Sequence, residues 1–229
     1  LQYNNIEYND LRSLFVRGLN LQRLNLANNK IQDISPLSGA KTLLELNLAG
    51  NQIGDISPLA NLSNLRLLIL DRNKYIADIR PLSNLKDLRR LHLNENTGID
   101  WTKLGKIFGS RLNYLELNQT GITDLTCLRT LYLLSLSLNG NNINDISVMG
   151  KLHGFSLLQH LSMKNNHITD ITPIGNINKL KYLNLENNNI KDVSILHDYF
   201  QLNELYLTGN PINNMDTLDN LPKKIFRIS

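Results

Sequence analysis

Residues 21–37 read Leu-Gln-Arg-Leu-Asn-Leu-Ala-Asn-Asn-Lys-Ile-Gln-Asp-Ile-Ser-Pro-Leu, and the same framework returns along nearly the whole chain. Its core, Leu-x-x-Leu-x-Leu-x-x-Asn-x-Ile, begins at Leu21, Leu43, Leu65, Leu88, Leu112, Leu133, Leu158, Leu180 and Leu202. These nine copies are spaced by 22, 22, 23, 24, 21, 25, 22 and 22 residues. A fixed period of this size marks stacked supersecondary units, each too small to bury its apolar side alone. The irregular spacings fall where residues are added: Tyr75 after Lys74, Gly98 after Thr97, and the longer stretch from Val148 to Leu157. These read as loop insertions on an intact repeat.

In Leu-x-Leu, as at Leu24 and Leu26 or Leu183 and Leu185, alternate side chains point the same way, so each repeat supplies one short strand. A chain that returns every 22 residues lays successive strands side by side as a parallel sheet. The next apolar positions, such as Ile31, Ile34 and Leu37 or Ile168, Ile171 and Ile174, follow at three-residue steps and suit tight helical turns on the opposite side. The expected fold is an α/β solenoid with a parallel sheet on one face and short helical or 3-10 turns on the other.

Asparagine at the ninth position recurs as Asn29, Asn51, Asn73, Asn96, Asn141, Asn166, Asn188 and Asn210. An amide both donates and accepts, so a column of them can tie each turn to the next. Thr120 interrupts the column and marks an expected weak point or a water site. Aspartate recurs at Asp33, Asp55, Asp78, Asp124, Asp145, Asp170 and Asp192, where a carboxylate can cap the N–H groups of the following turn. Pro36, Pro58, Pro81 and Pro173 follow it early in the turn, where a missing N–H costs least.

The repeat Leu-x-x-Leu-x-Leu-x-x-Asn-x-Ile-x-Asp-Ile-x-Pro-Leu resembles the short Ile-rich class of leucine-rich repeat, found in bacterial internalin-like proteins and in the leucine-rich regulatory subunit of protein phosphatase 1. The likeness covers nearly all of residues 21–221, and the Asp-Ile-Ser/Thr-Pro-Leu/Ile segments lean it toward the bacterial side. It implies a curved arc that binds a protein on its concave strand face, and no chemistry of its own. The chain is read as one domain over 1–229: a partial repeat at 1–20, nine repeats at 21–221 and a partial repeat at 222–229. Ile225 and Ile228 could begin a tenth strand. Bare solenoid ends expose core, so the chain is expected to be part of a longer polypeptide.

Composition narrows the function classes. The chain has 229 residues, 41% hydrophobic, which suffices for a full core, and its 24 basic and 20 acidic residues leave a net charge of only +4. That excess falls short of a nucleic-acid binder's basic face, so no nucleic-acid partner is expected. The longest nearly apolar stretch, residues 131–138, is far below the ~20 residues of a membrane helix, so no membrane insertion is expected here. The single cysteine, Cys127, stands where other repeats have proline and reads as a structural thiol. His153, His160 and His167 are spaced by seven, but the repeat assigns them to a loop, a strand and a variable position. No nucleophile with a base, metal cluster or phosphate loop is evident, so neither catalysis nor a metal or cofactor is expected.

Function is then sought at positions three, five and seven of the repeat, which should face outward. Most are polar. Leu67 and Ile69 are apolar there, beside Arg90, His92, Tyr114 and Glu116 on the next two strands, the composition of an interface hot spot. A second candidate combines Tyr182 and Tyr206 with His160, Lys164 and Glu186. The basic run from Arg66 to Arg90 is interleaved with Asp71, Asp78 and Asp87 and reads as a solvated face. The reading favoured is a non-catalytic, concave-face protein-recognition module of a bacterial surface or secreted protein. The alternatives are a cytoplasmic regulatory subunit cradling an enzyme such as a phosphatase, and the substrate-selecting domain of a longer enzyme.

Overall fold

The computed structural model describes residues 11–13, 20–151, 153–219 and 221, together with the backbone of 226–227. Each Leu-x-Leu becomes a three-residue strand. In order these are β1 (Arg23–Asn25), β2 (Glu45–Asn47), β3 (Leu67–Ile69), β4 (Arg90–His92), β5 (Tyr114–Glu116), β6 (Ser135–Ser137), β7 (His160–Ser162), β8 (Tyr182–Asn184) and β9 (Glu204–Tyr206). A further strand, β10 (Phe226–Arg227), runs parallel to β9 with Phe226 opposite Leu205. The expected tenth strand therefore exists, although Ile225 and Ile228 lie outside the described residues.

The chain forms two compact units, Leu1–Glu116 and Leu117–Ser229. In the first, β1 to β5 pair parallel in sequence order, and the register aligns Leu24, Leu46, Leu68, Leu91 and Leu115. In the second, β6 to β9 do the same with Leu136, Leu161, Leu183 and Leu205. These leucines and the sixth-position residues are buried, as are Ile31, Ile34, Leu37 and most of their equivalents from the turns; Ile212 and Met215 in the ninth repeat are half-buried. Each such side chain contributes about 1.5–3 kcal/mol through burial, repeated along the stack. Sheet on one face and turns on the other is the expected leucine-rich repeat arrangement.

The turns are 3-10 helices: Ser35–Gly39, Ser57–Asn61 and Arg80–Asn84 in the first unit, and Thr172–Asn176 among others in the second, each of these four with proline in its opening positions. All seven expected aspartates accept the backbone N–H two residues on, at 2.7–2.9 Å. Asp100 makes an eighth such cap, to Thr102 at 3.0 Å. It opens the turn Trp101–Lys103, which runs into a short α-helix, α1 (Leu104–Phe108). Arg111 closes that helix, donating to the carbonyls of Ile107 and Ser83. The long insertion after Val148 becomes two successive turns, Ser147–Lys151 and His153–Leu157. They fit because Gly154 has no Cβ: one placed there would lie 1.8 Å from the Leu131 carbonyl oxygen.

The asparagine column works as expected. Asn73 donates to Leu70 O within its own repeat and to Leu48 O in the preceding one, both at 3.0 Å, and accepts from Ile53 N at 3.1 Å. At Thr120 the hydroxyl keeps the bond to its own repeat, Leu117 O at 3.0 Å, while Asn141 Oδ1 accepts from the Thr120 and Gly121 N–H groups. The site is bonded within the protein rather than left open. The eighth position has positive φ in every one of the nine repeats: at Asn28, Gly50, Arg72, Glu95, Gln119, Gly140, Asn165, Asn187 and Gly209. That left-handed residue turns the chain so that the ninth side chain points inward.

Candidate functional site

The register sets two rows across the sheet face of the first unit. The third positions align Glu45, Leu67, Arg90 and Tyr114, and the fifth align Asn47, Ile69, His92 and Glu116. Leu67 and Ile69 are half-buried and line a depression of about 300 Å³ with Arg23, Asn25, Glu45 and Asn47. Arg23 pairs with Glu45 across its rim, Nε to Oε1 at 3.2 Å. On the other side the Arg90 guanidinium lies 4.7 Å from the centre of the Tyr114 ring, and Tyr114 is 36% exposed. The six residues expected to form the first patch are thus neighbours on three adjacent strands.

Polar bonding fixes the far end of this patch. His92 Nδ1 is 3.6 Å from Glu116 Oε2, an oxygen that also accepts from Asn94 Nδ2 at 2.9 Å. Asp71 accepts the Asn94 backbone N–H at 2.8 Å. Burial raises the Asp71 carboxyl above its ordinary range, against the lowering by Asn94 and His92. Arg23, Asn25, Glu45 and Asn47 complete the depression; as polar residues in a mostly polar column they do not stand out in the sequence.

The second patch also assembles, in the second unit. His160 stacks on Tyr182 at 6.1 Å between ring centres, and Tyr182 meets Tyr206 at 5.5 Å. Beside them Lys164 Nζ pairs with Glu186 Oε2 at 2.9 Å, which holds that carboxyl below its ordinary range. Tyr206 donates to Glu204 at 2.7 Å.

The seventh position faces outward only in part: seven of the nine, Lys164 and Glu186 among them, are half-buried, and two are buried. Ala27 and Ala49 are buried, and Asn118 and Asn139 are half-buried. The chain is already entering its left-handed turn there, and the seventh N–H needs an acceptor. Asn25 and Asn47 supply it within their own repeats at 3.0 Å, and Asn118 and Asn139 supply it to the next repeat at 2.7 and 2.8 Å. Asn184, a fifth-position residue, is 8% exposed and accepts from Glu186 N at 3.0 Å. Much of the polar sheet face is therefore structural.

His153, His160 and His167 do not converge: among the described residues, no three His, Cys, Asp or Glu side chains could hold a metal ion. Cys127 is half-buried, and burial together with Asp124 pushes its thiol up to about 12. Among the described residues, no helix is long and apolar enough to cross a membrane.

The model for the family "Leucine Rich repeats (2 copies)" matches residues 19–61 and 156–197. An internalin, InlF, of Listeria monocytogenes is 33% identical over 88% of this chain and 72% of its own, with a TM-score of 0.62. The chain belongs to the internalin-like leucine-rich repeat family. A leucine-rich repeat protein of Leptospira interrogans superposes on this internalin-like chain with a TM-score of 0.77, at 26% identity over 97% of this chain and 59% of its own. No curated protein sequence matches significantly. The leucine-rich repeat fold shared with the internalin supports a protein-binding role. A TLR13–ssRNA13 complex shares the fold, with a TM-score of 0.74 at 21% identity over 96% of this chain and 34% of its own. Nucleic acid is thus not excluded by architecture, and the expectation drawn from charge does not extend to the fold.

Proposed function

We propose that this internalin-like chain is a non-catalytic recognition module of a bacterial surface or secreted protein, engaging its partner protein on the concave sheet face of the first unit. The observation that carries this reading is the apolar depression at Leu67 and Ile69 beside the Arg90–Tyr114 stack. It offers an apolar anchor site with Arg23 in its lining and an arginine–tyrosine stack on the next two strands, residue types that dominate interface energetics. Little has to be ordered on binding, because the strands and the stacked ring are already held in place. Kinship with a Listeria internalin favours the bacterial surface reading over the cytoplasmic regulatory one.

Site-specific crosslinking tests the face directly. A photo-crosslinking amino acid at Ile69 should capture the partner, whereas the same group at Asn84, on the turn side, should not. Crosslinks confined to Asn84 would overturn the reading.

A further inference from the structure

The structure sorts the basic run between Arg66 and Arg90 into two kinds. Arg80 is neutralised by Asp78, Nη2 to Oδ2 at 2.8 Å, and Arg72 donates to Asn28 at 3.2 Å. Arg66, Arg89, Arg90 and Arg111 form no ion pair with a carboxylate among the described residues. Arg66 and Arg89 occupy equivalent positions on neighbouring strands, one residue before Leu67 and Arg90: the Arg66 carbonyl accepts from both Arg89 N and Arg90 N at 3.0 Å. Arg66, Arg89 and Arg90 are exposed. Arg111, half-buried nearby, is held by the Ser83 and Ile107 carbonyls through its two Nη groups, with Nε buried. Its guanidinium is destabilised by burial and by the charge of Arg89.

The same imbalance appears in the whole unit. Residues 1–116 hold 15 Lys and Arg against 11 Asp and Glu, whereas residues 117–229 hold nine of each, so the chain's excess charge lies entirely in the first unit. The nearby carboxylates are engaged elsewhere, Glu45 with Arg23 and Glu116 with Asn94 and His92.

We propose that the edge formed by the exposed Arg66, Arg89 and Arg90, with the charge of Arg111 behind it, receives an acidic segment of the partner protein whose adjoining apolar residue enters the Leu67–Ile69 depression. This deepens the reading of the preceding subsection and rests on it. Guanidinium groups form two-pronged bonds to carboxylates, and Arg90, already stacked on Tyr114, loses little freedom in doing so. Like charges held close without a counter-ion gain most from an incoming anion. A peptide fits better than a polyanion, because the edge spans only three strands and adjoins an apolar depression, which a continuous phosphate or sulfate track would leave unfilled.

The test is selection of random twelve-residue peptides displayed on phage against the purified chain, followed by affinity measurement of the enriched sequences at two salt concentrations. The expected winners carry two or more Asp or Glu beside a large apolar residue and weaken as salt rises. They should bind about tenfold less well to an Arg66→Glu/Arg89→Glu variant. An Arg66→Gln/Arg89→Gln variant with unchanged melting temperature should show a smaller loss, which separates charge from folding. Winners that are neutral or basic, the absence of any acidic winner, or no response to charge reversal would overturn the proposal. So would a heparin fragment or single-stranded DNA binding the same edge more tightly than any peptide. If winners depend on Leu67 but not on Arg66 and Arg89, the sheet-face reading stands and this inference fails. If they depend on neither, the sheet-face reading fails as well.

Discussion

Arg90 and Tyr114 sit opposite each other on neighbouring parallel strands, and the guanidinium lies 4.7 Å from the ring centre. At an exposed site such a contact is worth about 0.5–1 kcal/mol, too little to hold the fold together. Tyr114→Ala should therefore lower the free energy of unfolding by no more than about 1 kcal/mol in urea titrations. A larger loss would make the pair part of the framework rather than of a binding surface.

The framework lies one layer down. Asn73 is fully buried and serves Leu48 O, Leu70 O and Ile53 N at once. Asn73→Ala leaves the Ile53 N–H without its acceptor and removes one of two amide donors from each of Leu48 O and Leu70 O, which Asn51 and Asn96 still serve, and should cost about 1–3 kcal/mol in denaturant unfolding. Asn73→Thr should recover part of that loss, since the Thr120 hydroxyl keeps the within-repeat bond in the natural chain.

The eighth position stores a smaller strain. Glu95 has a φ of 59° where six other repeats place Asn or Gly, a conformation unfavourable for a long L side chain by about 1 kcal/mol. Glu95→Gly should raise stability by up to about 1 kcal/mol, read as a higher urea midpoint. Gly50→Ala should do the reverse, because its Cβ would lie 2.4 Å from Asn28 Oδ1.

Acid should weaken the turns in a defined direction. Asp124, Asp145 and Asp192 are held below the ordinary carboxylate range, chiefly by the backbone N–H of Thr126, Ser147 and Ser194. A carboxyl whose pKa is lower in the folded than in the unfolded chain contributes its full stability above the unfolded value. It loses that contribution as pH falls through the folded one. The melting temperature should thus be level near neutrality and decline below about pH 4. Asp145→Asn keeps the capping oxygen and removes the titration, so the decline should become shallower.

Much of the fold was legible because one column of residues repeats one physical task. Leucine at positions four and six, asparagine at nine, and aspartate and proline at the turn each solve the same burial or hydrogen-bonding problem in every repeat. The partial burial of the seventh position was not legible, because its direction depends on the left-handed residue that follows. Six of those residues are Asn or Gly, but Arg72, Glu95 and Gln119 hide the pattern. The candidate residues were legible as departures from a polar column, and parallel register brings equivalent positions of neighbouring repeats together. The ring contacts and the unpaired arginines were not, since pairing depends on where long side chains turn after the strand has fixed their Cα atoms. Arg80 and Arg89 look alike in sequence; one reaches Asp78 and the other turns to the carbonyls of Lys86 and Leu88.

The central claim is that the sheet face of the first unit meets a partner protein, and paired affinity capture tests it most directly. The parent chain and a Leu67→Glu/Tyr114→Ala variant are immobilised side by side and exposed to the same candidate host and source lysates. Both positions lie on the surface layer, so the variant should retain the parent's circular dichroism and melting profile. A protein that binds the parent with measurable affinity and binds the folded variant at least about tenfold more weakly is the predicted result. Equal binding of the same protein to both chains would contradict it.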